Sequence, residues 1–225
     1  MDLQLTDRVA LIVGGTGTIG SAIADALRAE GATVITAARG EGADLRLDAA
    51  DPASVDSAIA SLIETHGRID ALVVTAAPSA QTLDPARSGD PEQIIAAIEG
   101  KAMTFLRVVN AVAPHMKQAG FGRIVGISGQ FAWMTGSITA SVRNSVLNIA
   151  AKNLADDLAG SGVTVNTVNP GIVADEPNSA VKPGMGGESS PQQVADLVAF
   201  LLSPRSVVSG EQIAVAHRQR GVVQN

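Results

Sequence analysis

Short runs of uninterrupted apolar residues alternate along the chain with longer stretches whose apolar positions recur at helical spacing. The short runs predict strands at 8–14 (RVALIVG), 33–38 (TVITAA), 44–47 (DLRL), 71–76 (ALVVTA), 123–128 (RIVGIS), 163–168 (VTVNTV) and 212–216 (QIAVA). Most are apolar on consecutive positions, the pattern of strands covered on both faces. Helices are predicted between them. One runs from Gly20 to Glu30 and stops at Gly31. A second spans 51–66, with Asp51 as N-cap and Pro52 in the first turn. Asp90 and Pro91 repeat that signal for a long helix over 91–118. Helices over 137–159 and 191–202 complete the set, the latter opened by Ser190 and Gln193 at capping-box spacing. Strand–helix alternation of this kind predicts an α/β fold: a doubly wound, mostly parallel sheet with helices on both faces.

One connection breaks the alternation. Only a short loop fits between Ala38 and Asp44, whereas a parallel crossover normally takes a dozen or more residues. Either the helix between the second and third strands is missing or the third strand is vestigial. Residues 1–225 contain no internal repeat and no linker, so one domain is expected. The least regular segment, 174–190 (ADEPNSAVKPGMGGESS), is predicted to be a flexible loop over a substrate site.

Composition narrows the class. Hydrophobic residues make up 46% of the 225 positions but aromatic ones only 2%, so the core must be built from aliphatic side chains. A net charge of -6 without a basic patch argues against nucleic acid as a partner. There are no cysteines, which excludes disulfides and thiolate metal sites. His66, His115 and His217 lie far apart, and no metal is expected. The first ten residues do not read as a signal peptide, and no segment approaches the length of a membrane span. A cytoplasmic protein with no membrane partner is the expectation.

The candidate chemistry begins in ALIVGGTGTIGSAIADAL (10–27), where the first strand passes into the first helix through glycines. Gly14 permits the tight turn. Gly17 lets backbone approach a pyrophosphate, and Gly20 lets the helix pack on the strand. The helix N-terminus then offers free N–H groups to phosphate. The turn residues Gly14, Thr16, Gly17, Thr18, Ile19 and Gly20 are therefore the expected phosphate contacts. The end of the second strand, where an acid would bind ribose hydroxyls, instead carries Arg39. This favours NADP(H), with NAD(H) still open.

With these features the chain resembles the short-chain dehydrogenase/reductase family over nearly its full length. The resemblance is carried by LIVGGTGTIGSAIADALRAEGATV, LDAADPASV, RIDALVVTAA, APHMKQAGFGRIVGIS, LAGSGVTVNTVNPGIV and SPQQVADLVAFLLSPRSVVSGEQIAV. It implies a single-domain Rossmann fold, a nicotinamide cofactor, a small-molecule substrate, and a homodimer or homotetramer packed through helices 91–118 and 137–159. It also implies that Asp48 bonds the adenine and that Ala76 lies in the segment supporting the cofactor. Pro170, Gly171 and Ile172 would line the nicotinamide. Thr18 stands where many members have glycine.

The catalytic residues of the family do not carry over. Its mechanism uses Asn, Ser, Tyr and Lys, and this chain contains no tyrosine. Lys101 falls at the asparagine. Ser128 matches one of two common serine positions, while Gly129 takes the more usual one. The tyrosine and lysine positions fall on Ala140 and Asn144, or with a one-residue shift on Thr139 and Arg143. The segment that is usually NNAG reads VTAA at 74–77. Lys101, Ser128 and Arg143 remain as candidate catalytic groups, with Gln130 and Trp133 on the substrate side. The expected function is an NADP(H)-dependent oxidoreductase acting on a carbonyl or alcohol with a non-standard proton donor. Two alternatives stay open: a cofactor-binding but inactive homologue serving as sensor or partner subunit, and a non-redox lyase or isomerase. The substrate is expected to be small to medium and not highly charged.

Overall fold

A computed structural model describes residues 1–78, 80–181 and 186–218. Its centre is Val9–Val13 (β1), buried at every position. Val9, Leu11 and Val13 face one layer of helices and Ala10 and Ile12 the other, as strand alternation requires. Thr18–Ala29 (α1) leads to Thr33–Ala38 (β2) and directly to Leu45–Arg46 (β3). Both parts of the anomaly seen in the sequence are real: the crossover has no helix, and β3 is two residues long, paired in parallel through Ala37 with Leu45 and Ala38 with Arg46. Asp44 closes this short connection by accepting hydrogen bonds from the Thr36 backbone N–H at 2.9 Å and its hydroxyl at 2.7 Å.

Pro52–His66 (α2) starts at Asp51, whose carboxylate caps Ala53, and ends at Gly67 in the left-handed region. Ala71–Val74 (β4) follows, fully buried. Pro91–Ile98 (α3) is capped by Asp90. The long helix predicted over 91–118 is not continuous. Residues Glu99–Met103 form a π-helical turn before Thr104–Ala119 (α4). Tertiary packing explains the interruption. The extra residue of a π turn swings Gly100 against the loop after β4, where an added Cβ would stand 3.0 Å from Pro78. Gly122–Ile127 (β5), Ile138–Asp157 (α5) and Val163–Pro170 (β6) continue the alternation.

The segment predicted as a loop over 174–190 is bounded by structure that the sequence pattern did not reveal. Ile172–Val173 (β7) pairs in parallel with Glu188–Ser189 (β8). Residues 182–185 lie outside the described residues. Pro191–Leu202 (α6) carries the full capping box of Ser190 and Gln193, and Gln212–Val215 (β9) completes the main sheet.

That sheet has seven parallel strands in the order β3-β2-β1-β4-β5-β6-β9. One layer packs residues of α2, α4 and α5, such as Ile59, Phe105 and Leu147, on the sheet; the other packs Ile23 of α1 and Val198 of α6. After β2 and β3 the chain returns to place β4 on the other side of β1. The strand order therefore reverses at the carboxyl ends of β1 and β4, which opens a crevice there. No helix among the described residues is long and apolar enough to cross a membrane.

Candidate functional site

The crevice is a groove of about 760 Å³ along the carboxyl ends of β1, β2 and β4. Gly14 turns the chain out of β1 at φ +88°, and a Cβ there would meet the Thr75 hydroxyl at 2.4 Å. Gly20 sits where α1 presses on that turn, and its Cβ would stand 2.2 Å from the Gly14 carbonyl oxygen. Gly17 is different. Its Cβ would meet nothing closer than 3.5 Å, because it faces the open groove.

The start of α1 is also chemically distinct. Asp51, Asp90, Ser137 and Ser190 cap α2, α3, α5 and α6 with side-chain hydrogen bonds, whereas Gly17 at the N-cap of α1 offers none. The first N–H groups of α1 are thus left without a side-chain acceptor and face the groove with the positive end of the helix dipole. Thr16, Thr18 and Ile19 line it with them. Asp175 shares a neighbouring shallow cleft with Thr16 and Thr18.

Farther along, Arg39 is exposed at the end of β2, and Asp48 is half-buried with its carboxylate held by the Ala50 N–H at 3.0 Å. Ala76 forms the groove wall after β4. Nine of the twelve residues predicted to hold a cofactor therefore share one cavity: Gly14, Thr16, Gly17, Thr18, Ile19, Gly20, Arg39, Asp48 and Ala76. Pro170, Gly171 and Ile172 lie outside its lining, at the end of β6 and in β7. There Gly171 passes so close to Gly187 that a Cβ would stand 2.4 Å from its carbonyl oxygen.

Lys101, Ser128 and Arg143 come together at the far end of the groove, where Pro78, Gly100 and Ile127 form its wall. The π turn carries Lys101 inward, and its Nζ donates to the Ser128 carbonyl at 3.0 Å. Arg143, on α5, donates from Nη1 to the Pro78 carbonyl at 3.2 Å. Lys101 is only 6% exposed and Arg143 only 5%. Burial, and then the nearby Arg143 charge, lower the Lys101 ammonium from its ordinary 10.5 to about 7. Burial also pushes Arg143 below its ordinary value. The Ser128 hydroxyl is already engaged, donating to the Asn144 carbonyl at 3.2 Å.

The four residues left open by register on α5 are all buried, with distinct surroundings. Thr139 turns to the α3 side, giving its hydroxyl to the Ser88 carbonyl at 2.8 Å and accepting from Gln93. Asn144 stands opposite Gly129, where a Cβ would lie 3.2 Å from its Nδ2. Gln130 is buried, donating to the Val215 carbonyl at 2.9 Å, and the Trp133 ring carries the Arg218 guanidinium at 4.0 Å. Sequence reasoning missed a polar network beneath the site. Asn169 Oδ1 accepts from Asn148 Nδ2 at 3.0 Å and from the Gly129 N–H at 3.4 Å, and Asn148 also donates to Gln212. The available signal was three asparagines, at 148, 166 and 169, in segments otherwise apolar enough to be core.

A glycine-turned crevice at the strand reversal of a seven-stranded parallel sheet defines a Rossmann-type nucleotide-binding protein. The family described as Enoyl-(Acyl carrier protein) reductase matches residues 14–217. The chain is 30% identical to the 3-oxoacyl-[acyl-carrier-protein] reductase FabG of Salmonella typhimurium, covering 95% of this chain and 97% of FabG. It is 29% identical to the 7alpha-hydroxysteroid dehydrogenase of Clostridium sardiniense, over 76% of this chain and 72% of that one. Among solved structures, gox2181 superposes with a TM-score of 0.81 at 25% identity, covering 95% of this chain and 96% of that chain. YwfH, an NADPH dependent reductase involved in bacilysin biosynthesis, superposes with a TM-score of 0.78 at 25% identity, over 95% of this chain and 100% of its own. The chain belongs to the short-chain dehydrogenase/reductase family of oxidoreductases.

Proposed function

We propose that this protein is an NADP(H)-dependent oxidoreductase acting on a carbonyl or its alcohol, with Lys101 carrying the proton that a phenol carries elsewhere in the family. The observation that bears most weight is the buried Lys101 ammonium at the end of the groove, titrating near neutrality. A group poised there can give a proton in one direction and take it back in the other.

The groove suits a dinucleotide. The open face of Gly17 and the uncapped start of α1 are fitted to a diphosphate. Arg39 would hold a ribose 2′-phosphate; among the described residues it forms no ion pair, and Asp44 is engaged by Thr36 and Arg28. Asp48 would reach the adenine end. FabG, the hydroxysteroid dehydrogenase and YwfH are all redox proteins by name, and YwfH is NADPH dependent. A reduced nicotinamide, when bound, supplies a hydride to a carbonyl carbon. Lys101 would then protonate the resulting alkoxide. Arg143 keeps its charge and would bind an anionic group of the substrate beside Lys101. Ser128 serves by its backbone, fixing Lys101 through its carbonyl.

The facing of Asn144 and Gly129 favours the register in which Ala140 and Asn144 occupy the family's tyrosine and lysine positions. Neither can then transfer a proton, which is the observation favouring the second reading, a homologue that binds cofactor without turnover. The exposed Ile95 of α3 and Ile149 of α5 support self-association through these helices.

Titration with NADPH and NADH, followed by stopped-flow oxidation of NADPH against ketones, quinones and imines, separates the readings. Binding followed by turnover supports the reductase. Binding without turnover of any of these leaves the inactive homologue. Failure of both nucleotides to bind below about millimolar concentration removes the cofactor reading altogether.

A further inference from the structure

Arg123 shows how this fold satisfies a buried arginine that has no acid partner. Its guanidinium donates to three backbone carbonyls, of Gly122, Gly162 and Ser203, and lies 4.4 Å from the Phe121 ring centroid. Arg143 is as deeply buried and receives much less. Among the described residues it makes one hydrogen bond, to Pro78, and its Nε finds no partner. Lys101 has three protons to donate and, among the described residues, one acceptor, Ser128. Among the described residues no carboxylate lies within 4.0 Å of either cation. The other arginines and lysines found in ion pairs, such as Arg8, Arg68 and Lys152, are all more exposed than these two.

Two like charges withdrawn from water without a counter-charge are unfavourable alone and worse together. Both stand where the groove ends. Pro78, the acceptor of Arg143, and Gly100, next to Lys101, are part of its wall. Neither cation lines the groove itself; each lies directly behind that wall, so the charge the protein leaves unbalanced sits next to the groove's end.

We propose that this end of the groove is an oxyanion subsite and that the substrate is an oxo acid or hydroxy acid whose carboxylate is held by the Arg143 guanidinium beside Lys101. A guanidinium presents paired donors that match the two oxygens of a carboxylate, and Lys101 adds a point charge next to the reacting oxygen. This assignment rests on the proposed oxidoreductase for the identity of the reaction, and on the unpaired cations for the carboxylate. It differs from the expectation, drawn from the few aromatic residues and the 174–190 loop, that the substrate is not highly charged.

Calorimetric titration of the full chain with hexanoate, hexanamide and hexyl phosphate tests it without requiring turnover. Hexanoate is expected to bind about tenfold or more tightly than hexanamide, and Arg143→Gln is expected to erase that difference while Arg143→Lys keeps part of it. Equal binding of acid and amide by the unaltered protein overturns the proposal, as does a difference that survives Arg143→Gln. Tighter binding of hexyl phosphate overturns the carboxylate assignment. Should Arg143→Gln fail to fold, Lys101→Gln takes its place, with a reduced acid–amide difference expected and an unchanged one counting against. Carboxylate preference in a protein that binds neither NADPH nor NADH sinks the oxidoreductase and leaves the anion subsite standing.

Discussion

The Lys101 Nζ stands 3.0 Å from the Ser128 carbonyl oxygen, and among the described residues this is the only hydrogen bond that holds the buried ammonium in place. A neutral acceptor lets the proton leave, where a carboxylate would have fixed it. With the ammonium lowered to about 7, the proton-donating form dominates below that pH and drains away above it. The reductive rate is expected to be flat on the acid side and to fall about tenfold per pH unit well above pH 7, with the oxidative rate running oppositely. Lys101→Met is expected to slow reduction by about 10²–10⁴ and to remove this inflection. A pH profile of kcat/KM for both proteins, unchanged in shape by the substitution, would rule Lys101 out as the proton carrier.

The same lysine should leave a mark on stability that does not depend on turnover. Below about pH 7 it is protonated in both folded and unfolded chains, and the cost of its burial is felt in full. Between there and 10.5 the unfolded chain holds a proton that the folded one has released. Stability therefore rises with pH across that window, by up to about 1.4 kcal/mol per pH unit from this group. Urea midpoints measured across the window should climb for the natural protein and climb less for Lys101→Met. Parallel curves would mean that the ammonium is not buried as described.

Gly17 and Gly20 are three residues apart and should respond to alanine in opposite ways. At Gly20 a methyl would stand 2.2 Å from the Gly14 carbonyl oxygen, so the helix must shift off the turn. Gly20→Ala is expected to cost about 1–3 kcal/mol of stability. At Gly17 the nearest atom is 3.5 Å away, and the methyl enters only the space kept for a ligand. Gly17→Ala should leave the thermal midpoint nearly unchanged while weakening NADPH binding about tenfold or more. A Gly17→Ala protein that binds NADPH normally would show that the turn is not a phosphate cradle.

Much of this arrangement was legible in the sequence because it follows from local patterns. The apolar run of β1 and the glycines at 14, 17 and 20 place the crevice, and Asp51, Asp90 and Ser190 mark helix starts that the structure keeps. The break at Glu99–Met103 was not legible, since the one helix-weakening residue there, Gly100, does not by itself distinguish a π turn from a regular helix, and the turn is set by contact of Gly100 with Pro78. The pairing of β7 with β8 was hidden for a related reason: two-residue strands carry no periodicity. The surroundings of Arg143 could not be read either, because the contrast with Arg123 depends on which carbonyls the fold brings near each guanidinium.

Asn169 joins the site to its support. It is fully buried, donates to the Thr167 carbonyl and hydroxyl, and accepts from Asn148 and the Gly129 N–H. Asn169→Ala leaves those donors and acceptors unmatched in the interior. A loss of about 2–4 kcal/mol is expected in denaturant titration. Asn169→Asp, which keeps the acceptor but cannot donate to Thr167, should also destabilise at neutral pH. Full stability in both variants would show that the network contributes little.

Arg39 offers the sharpest test of cofactor choice because no side chain among the described residues holds it. It is exposed at the end of β2, and among the described residues no carboxylate lies within 4.0 Å of its guanidinium. Removing it costs the fold nothing that the structure records, so changes in binding can be read directly. A 2′-phosphate is the only group that distinguishes NADPH from NADH, and it would meet Arg39 through charge-assisted hydrogen bonds. Arg39→Ala should weaken NADPH by about tenfold to a hundredfold and alter NADH by less than about threefold. Because the guanidinium is solvated, the NADPH affinity of the natural protein should also fall with added salt more steeply than that of the variant. Equal losses for both nucleotides would assign Arg39 to the adenosine in general, and no loss for either would place the phosphate elsewhere. Only a selective loss, matched by the difference in salt dependence, supports NADP(H) as the cofactor.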